Sequence, residues 1–221
     1  MQETTQVTYG AGTITVTIST ESGTEVAAPA VRFGSYYDGA TACLTDKELE
    51  EVAVGGYATV DLHYYMTDEL TNSAEEKSFT EGITKAEISM GDLQRGVYLE
   101  AEAEKTIGGG EKIPFDTLYE DVEFQIDVPL YIVAEDRDYY LMTNVMGVCA
   151  LDDDVDTDAD TLSVKSHNIG TSLILYQDGV DAGQKNNSKL TIKSQYLFIG
   201  AIIALVLIWW TVDRKYKRNK E

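Results

Sequence analysis

Six aspartates crowd the stretch "LDDDVDTDADTLS": Asp152, Asp153, Asp154, Asp156, Asp158 and Asp160. Calcium takes about six to eight oxygen ligands, and alternate aspartates on one loop supply them cheaply. Asp152, Asp154, Asp156, Asp158 and Asp160 are therefore the candidate metal ligands. The spacing is not that of an EF-hand. With Asp154 as the first ligand, Ala159 stands where the glycine belongs and Lys165 where the bidentate glutamate belongs. The competing reading is a solvated acidic turn between two strands.

Other chemistry-bearing residues are sparse. Glu100, Glu102 and Glu104 alternate along one segment, which puts their carboxylates about 7 Å apart on one strand face. Paired carboxylates can run acid–base chemistry, but a repeated stripe reads better as a solvent face. His63 and His167 are the only histidines. No GxSxG or HExxH motif accompanies them, and "IGGGEK" lacks the GK[ST] ending of a phosphate loop. Cys43 and Cys149 form no CxxC pair, so a zinc site is not expected. In an exported domain they would form one disulfide; the alternative is two buried thiols. The residue types point away from an enzyme, and calcium is the one cofactor they suggest.

The elements that would carry these residues are strands. "TITVTIS", "YATVDLHYYM", "VYLEAEAE" and "VEFQIDV" alternate apolar and polar side chains with period two, as half-buried antiparallel strands do. "LYIVAE", "YYLMTNVMGV", "TLSVKS" and "TSLILYQ" read as further strands, with glycine-rich turns between them. The tyrosine pairs 36–37, 64–65 and 139–140 would each send one ring inward and one outward. Only "LTDKELEEV" looks helical before the C-terminal region, with Thr45 and Glu48 in a capping box. The expected fold is an all-β ectodomain, an antiparallel sandwich or jelly roll of one or two packed units, with one C-terminal transmembrane helix. The glycine run Gly108–Gly110 marks the best internal boundary. The divisions are 1–107 and 108–192 (β-rich halves or one continuous sandwich), 193–212 (membrane helix) and 213–221 (basic tail).

From Tyr196 to Val212 only Thr211 is neither apolar, aromatic nor glycine. That run covers roughly 25 Å as a helix, against a hydrocarbon core of about 30 Å. Arg214, Lys215, Lys217, Arg218 and Lys220 follow it, which places the C-terminus in the cytoplasm and the large N-terminal part outside. The first residues, "MQETTQVTYGAGTITVT", have neither the basic nor the apolar region of a signal peptide. A processed start, a tail-anchored cytosolic domain and insertion within a viral or membrane assembly are the three routes that would reconcile the two ends. "NNS" at Asn186 is a formal glycosylation sequon.

The chain has 38 acidic and 17 basic residues, and the tail from Asp213 holds five of the basic ones. Such a surface repels phosphate backbones, so nucleic acid is excluded as a partner. Yet 43% of the residues are hydrophobic, enough for a core. The expected role is a non-enzymatic structural or recognition element at an envelope surface. The alternatives are a structural membrane subunit of a virion or large complex, and a calcium-stabilised adhesion module. Lipid would meet residues 196–212. Protein partners are expected, a homo-oligomer or larger assembly among them.

Overall fold

A computed structural model describes residues 1–134 and 136–179. The expected span at 193–212, the tail at 213–221 and the sequon at Asn186 lie outside those residues. Among the described residues, no helix is long and apolar enough to cross a membrane.

The period-two segments become strands where the alternation predicts. β1 (Gln2–Tyr9) and β2 (Gly12–Ser22) form a hairpin. Its turn needs Gly10: φ is +59°, and a Cβ there would lie 2.6 Å from the Ala53 carbonyl oxygen. Then come β3 (Val31–Phe33), α1 (Tyr36–Ala42) and α2 (Asp46–Ala53). The capping box starts α2 as expected: the Thr45 amide donates to Glu48 Oε2 at 2.7 Å, and the Glu48 amide to Thr45 Oγ1 at 3.2 Å. β4 (Tyr57–Thr67) follows and runs parallel to β2. This departs from the antiparallel expectation, because β3 and the two helices form a crossover that returns the chain in its original direction.

The rest of the chain comprises α3 (Ser73–Met90), β5 (Gln94–Ile107), β6 (Ile113–Pro114), β7 (Thr117–Asp127), β8 (Arg137–Val145), β9 (Val148–Asp153), β10 (Thr161–Asn168) and β11 (Thr171–Asp178). The strands form two sheets. The larger has the order β1-β2-β4-β5-β11-β8-β9 with β6 beside β5; the smaller is β10-β7-β3. Ile14, Val16, Val60, Leu62, Leu99 and Leu141 of the large sheet share one buried cluster with Phe33, Val122, Phe124, Ile126, Leu162 and Val164 of the small one. The all-β reading with two packed sheets therefore holds.

Helix α3 is the main addition. Phe79 and Ile83 pack on Tyr98, Met142, Leu173 and Leu175, on the opposite face of the large sheet. The four residues Ser172–Leu175 of β11 are buried in succession, since the strand is covered on both faces. The expected strand "LYIVAE" does not form. Its residues up to Ala134 make a turn and an irregular segment, held by the Ile132 amide on the Pro129 carbonyl and by Tyr139 Oη donating to the Ile132 carbonyl at 2.9 Å. Gly108–Gly110 is the turn between β5 and β6. It lies inside a single unit, Met1–Gly179, and β5 before it pairs with β11 after it.

Candidate functional site: an open polar face and its free edge

The aspartate loop serves the backbone. Asp152 and Asp153 end β9, and Asp154 to Asp160 lead into β10. Asp154 Oδ1 accepts the amides of Asp156 and Ser163, each at 3.1 Å, and Asp156 Oδ1 accepts that of Asp158 at 2.8 Å. The Val155 amide donates to the Ser163 carbonyl at 2.7 Å, and the Val128 amide to that of Asp160 at 2.8 Å. The loop thus lies along the outer side of β10 and occupies its exposed ladder groups at Ser163. Among the described residues no group of three or more His, Cys, Asp or Glu is placed to hold a metal ion. Burial pushes the Asp152 carboxyl up from its ordinary range; a Ser166 hydrogen bond opposes this and the Asp153 charge adds to it. Asp152 Oδ2 is buried without a partner among the described residues.

The cysteines are apart. Both are free thiols. Cys43 follows α1 in the cluster between the sheets, whereas Cys149 lies under α3 against Gly82 and Met142. The large sheet stands between them, so the expected Cys43–Cys149 bridge does not form here. A disulfide needs Cα atoms within about 7 Å. Burial raises the Cys43 thiol to about 12, with Lys105 pulling the other way, and burial also raises that of Cys149.

The glutamate stripe belongs to a wider surface. Among the described residues, α3 covers the outer face of the large sheet over β11, β8 and β9 and leaves it open over β1, β2, β4 and most of β5. There Tyr65, His63 and Asp61 lie opposite Glu100, Glu102 and Glu104 in register. On β2 the row continues with Thr13, Thr15, Thr17 and Ser19, and on β1 with Gln2, Thr4, Gln6 and Thr8. Ser19 Oγ and His63 Nδ1 are 2.9 Å apart, and Glu102 is the register partner of His63. These are the residue types of a hydrolase triad. They lie on the open outer face of the sheet, however, where among the described residues nothing desolvates a nucleophile or aims donors at an oxyanion. The second histidine pairs with Asp121 at 2.7 Å on the small sheet, both side chains more than half exposed.

The Tyr64–Tyr65 pair divides as expected, Tyr64 6% exposed and Tyr65 39%. Tyr139 and Tyr140 point to opposite faces, but Tyr139 is buried and Tyr140 packs beneath α3 rather than outside. The Tyr36–Tyr37 pair divides too, from a helix rather than a strand.

Two features were not anticipated. Lys105 is buried, with Nζ 2.6 Å from Glu48 Oε2 and 3.1 Å from the Cys43 carbonyl, and 5.1 Å from the Tyr119 ring centre. The signal was present: Lys105 is in phase with the inward residues Val97, Leu99, Ala101 and Ala103. The other is an open groove of about 380 Å³ between α3 and the β8–β9 hairpin, lined by Glu81, Gly82, Lys85, Met142, Val148 and Cys149 among others. It required α3, whose narrow apolar stripe of Phe79, Ile83, Ala86 and Met90 carries a weak periodic signal.

Comparison with protein-family models, curated proteins and solved structures finds no match for this chain.

Proposed function

We propose that the chain is a single-pass, membrane-anchored, non-enzymatic recognition element of an envelope surface. Residues 196–212 span the bilayer, 213–221 lie in the cytoplasm, and the two-sheet unit stands outside. The observation that carries this reading is the broad outer face of β1, β2, β4 and β5. It is dense in hydroxyls and carboxylates and, among the described residues, free of any covering helix. Such a face offers hydrogen bonds over a wide area rather than at one converged point, and it carries the exposed rings of Tyr57 and Tyr65, the residue type enriched where proteins meet. The molecule's strong negative charge argues against nucleic acid.

The exit of the chain supports the anchor. β11, the last described strand, ends at Asp178, opposite Arg137. The adjoining turn exposes Leu130 (86%) and Tyr131 (54%), an apolar and aromatic pair of the kind found at bilayer interfaces. A second reading, a structural subunit of a virion or large membrane complex, draws on the unprotected edge strand β1. Protease added to intact cells should remove the unit and spare a tag placed after Arg214. A protected unit would refute the proposed topology.

A further inference from the structure

The strands at the ends of the two sheets are treated differently. β3 is three residues long. β10 is occupied by the aspartate loop through Asp154, Val155 and Ser163. β9 has six residues and ends in Asp152 and Asp153. β1 has eight residues, no proline and one charge, Glu3. Short strands, covering loops and charges are the usual means of blocking strand addition, and among the described residues β1 has almost none of them.

The register shows which backbone groups are free. The Met1 and Thr20 backbones each donate to the other's carbonyl, so they form a hydrogen-bonded pair. Antiparallel pairs alternate between bonded and non-bonded. Glu3, Thr5, Val7 and Tyr9 therefore bond to β2, opposite Ile18, Val16, Ile14 and Gly12. The amides and carbonyls of Gln2, Thr4, Gln6 and Thr8 point away from the sheet, toward the open side.

We infer that β1 pairs antiparallel with β1 of a second copy of this chain. A two-fold axis at Thr5 sets Thr4 against the partner's Gln6 and Gln2 against the partner's Thr8. All the free groups of both edges are then used, in about eight backbone hydrogen bonds. The axis is perpendicular to the sheet, so inward residues meet inward ones and the two polar faces join. The charge of β1 permits this partner and favours this register. On a chain of net charge -21, β1 is a nearly neutral strip where two copies can approach. Glu3 faces the partner's Val7, which keeps the two Glu3 carboxylates about 13 Å apart along the strands. This pairing deepens the recognition reading above by naming the partner, but it does not depend on which side of a membrane the unit occupies. The Gly179 exits lie at opposite ends of the joined sheet. The test is therefore made in micelles, where no shared bilayer constrains the two copies.

The full chain is purified in mild detergent with empty micelles in large excess, and its mass is measured by sedimentation across a dilution series. The wild type should show a reversible monomer–dimer equilibrium. The double substitution Thr4→Asp with Gln6→Asp places carboxylates opposite one another across the axis, all on the exposed side of β1, and should weaken the dimer at least about tenfold. Thr4→Asp with Gln6→Lys makes each cross pair complementary and should restore it. Gln6→Pro removes an amide that β2 does not use, and should also dissociate the dimer, since proline is tolerated at a free edge but cannot donate from it. Melting temperatures of the monomers separate loss of pairing from loss of fold. A wild type that stays monomeric at the highest concentration overturns the inference. So does a dimer that the aspartate pair leaves intact, or a lysine variant that fails to regain pairing while remaining folded.

Discussion

Removing either partner of the Lys105–Glu48 pair should have unequal consequences. Lys105 is 4% exposed and Glu48 17%. Glu48→Gln keeps an amide oxygen at the Oε2 position but removes the negative charge, which leaves the ammonium inside with neutral acceptors and the rings of Tyr119 and Phe115, 5.1 and 5.8 Å from Nζ. Breaking a buried pair costs about 3–5 kcal/mol. The rings and the partial exposure of Glu48 offset some of this, so about 2–4 kcal/mol is expected. Glutamine preserves the capping box, so α2 itself should not account for the loss. Lys105→Met leaves a carboxylate that still accepts the Thr45 amide at 2.7 Å and reaches solvent. Its cost should be about 1 kcal/mol, mainly the lost bond to the Cys43 carbonyl. For a unit of this size, the melting temperature should fall by about 6–12 °C for Glu48→Gln and about 2–4 °C for Lys105→Met. The double variant should resemble Lys105→Met, which gives a coupling of about 2–4 kcal/mol. Acid sensitivity adds a second readout. Burial raises the Glu48 carboxyl, but the Lys105 hydrogen bond, the Thr45 amide and the Lys105 charge outweigh it and hold the carboxyl below its ordinary value. That stabilisation is complete above the ordinary carboxylate pKa and is lost as pH falls through the lowered one. The Gln variant should lack this part of the acid transition. Urea and thermal unfolding of the full chain in detergent, followed by circular dichroism, measure all three variants. If Glu48→Gln proves no worse than Lys105→Met, the carboxylate is not what makes the buried ammonium tolerable.

The remaining predictions concern the aspartate loop and the thiols. Asp154→Ala should cost about 1–2 kcal/mol, because the Asp156 and Ser163 amides lose their acceptor, while Asp154→Asn should keep most of it; hydrogen exchange at Ser163 reads this directly. Asp152→Asn should stabilise the protein by about 0.5–1.5 kcal/mol at pH 7 by removing a poorly solvated charge. Because the Asp152 carboxyl is raised, its penalty applies above the raised pKa and fades as pH falls through it, so the gain should vanish in acid; a constant gain across pH would refute the electrostatic cause. Melts in EDTA, calcium and ionic-strength-matched sodium should show sodium doing as well as calcium, since the loop carboxylates already hold backbone amides; a calcium-specific rise lost in Asp154→Asn with Asp156→Asn would show otherwise. Alkylation without reductant should label Cys149 slowly in the native protein and Cys43 only on unfolding, so an intact mass two hydrogens short after denaturation would reinstate the bridge.

What the sequence determined by itself was local. The alternation in β4 and β5 dictated which side chains face inward, and even Lys105 obeys it, because successive strand residues point to opposite faces whatever the fold. The Thr45–Glu48 box was equally legible, since its donors and acceptors lie within one turn. The tertiary structure decided everything that depends on a second element. The apolar run of β11 is ambiguous until α3 covers its second face, and α3 shows only a narrow stripe because it buries a single side on the sheet. β2 and β4 are parallel because a crossover joins them, a matter of connectivity that periodicity does not report. Ser19 and His63 meet because β2 pairs with β4, and Cys43 and Cys149 are kept apart because they lie on opposite faces of the large sheet. The aspartate loop illustrates the difference best. Its composition is compatible with a metal cage, but the position of β10 beside it gives Asp154 the Ser163 amide to accept. Backbone groups at a sheet edge need partners whether or not a cation is present, and the nearest acceptors take them.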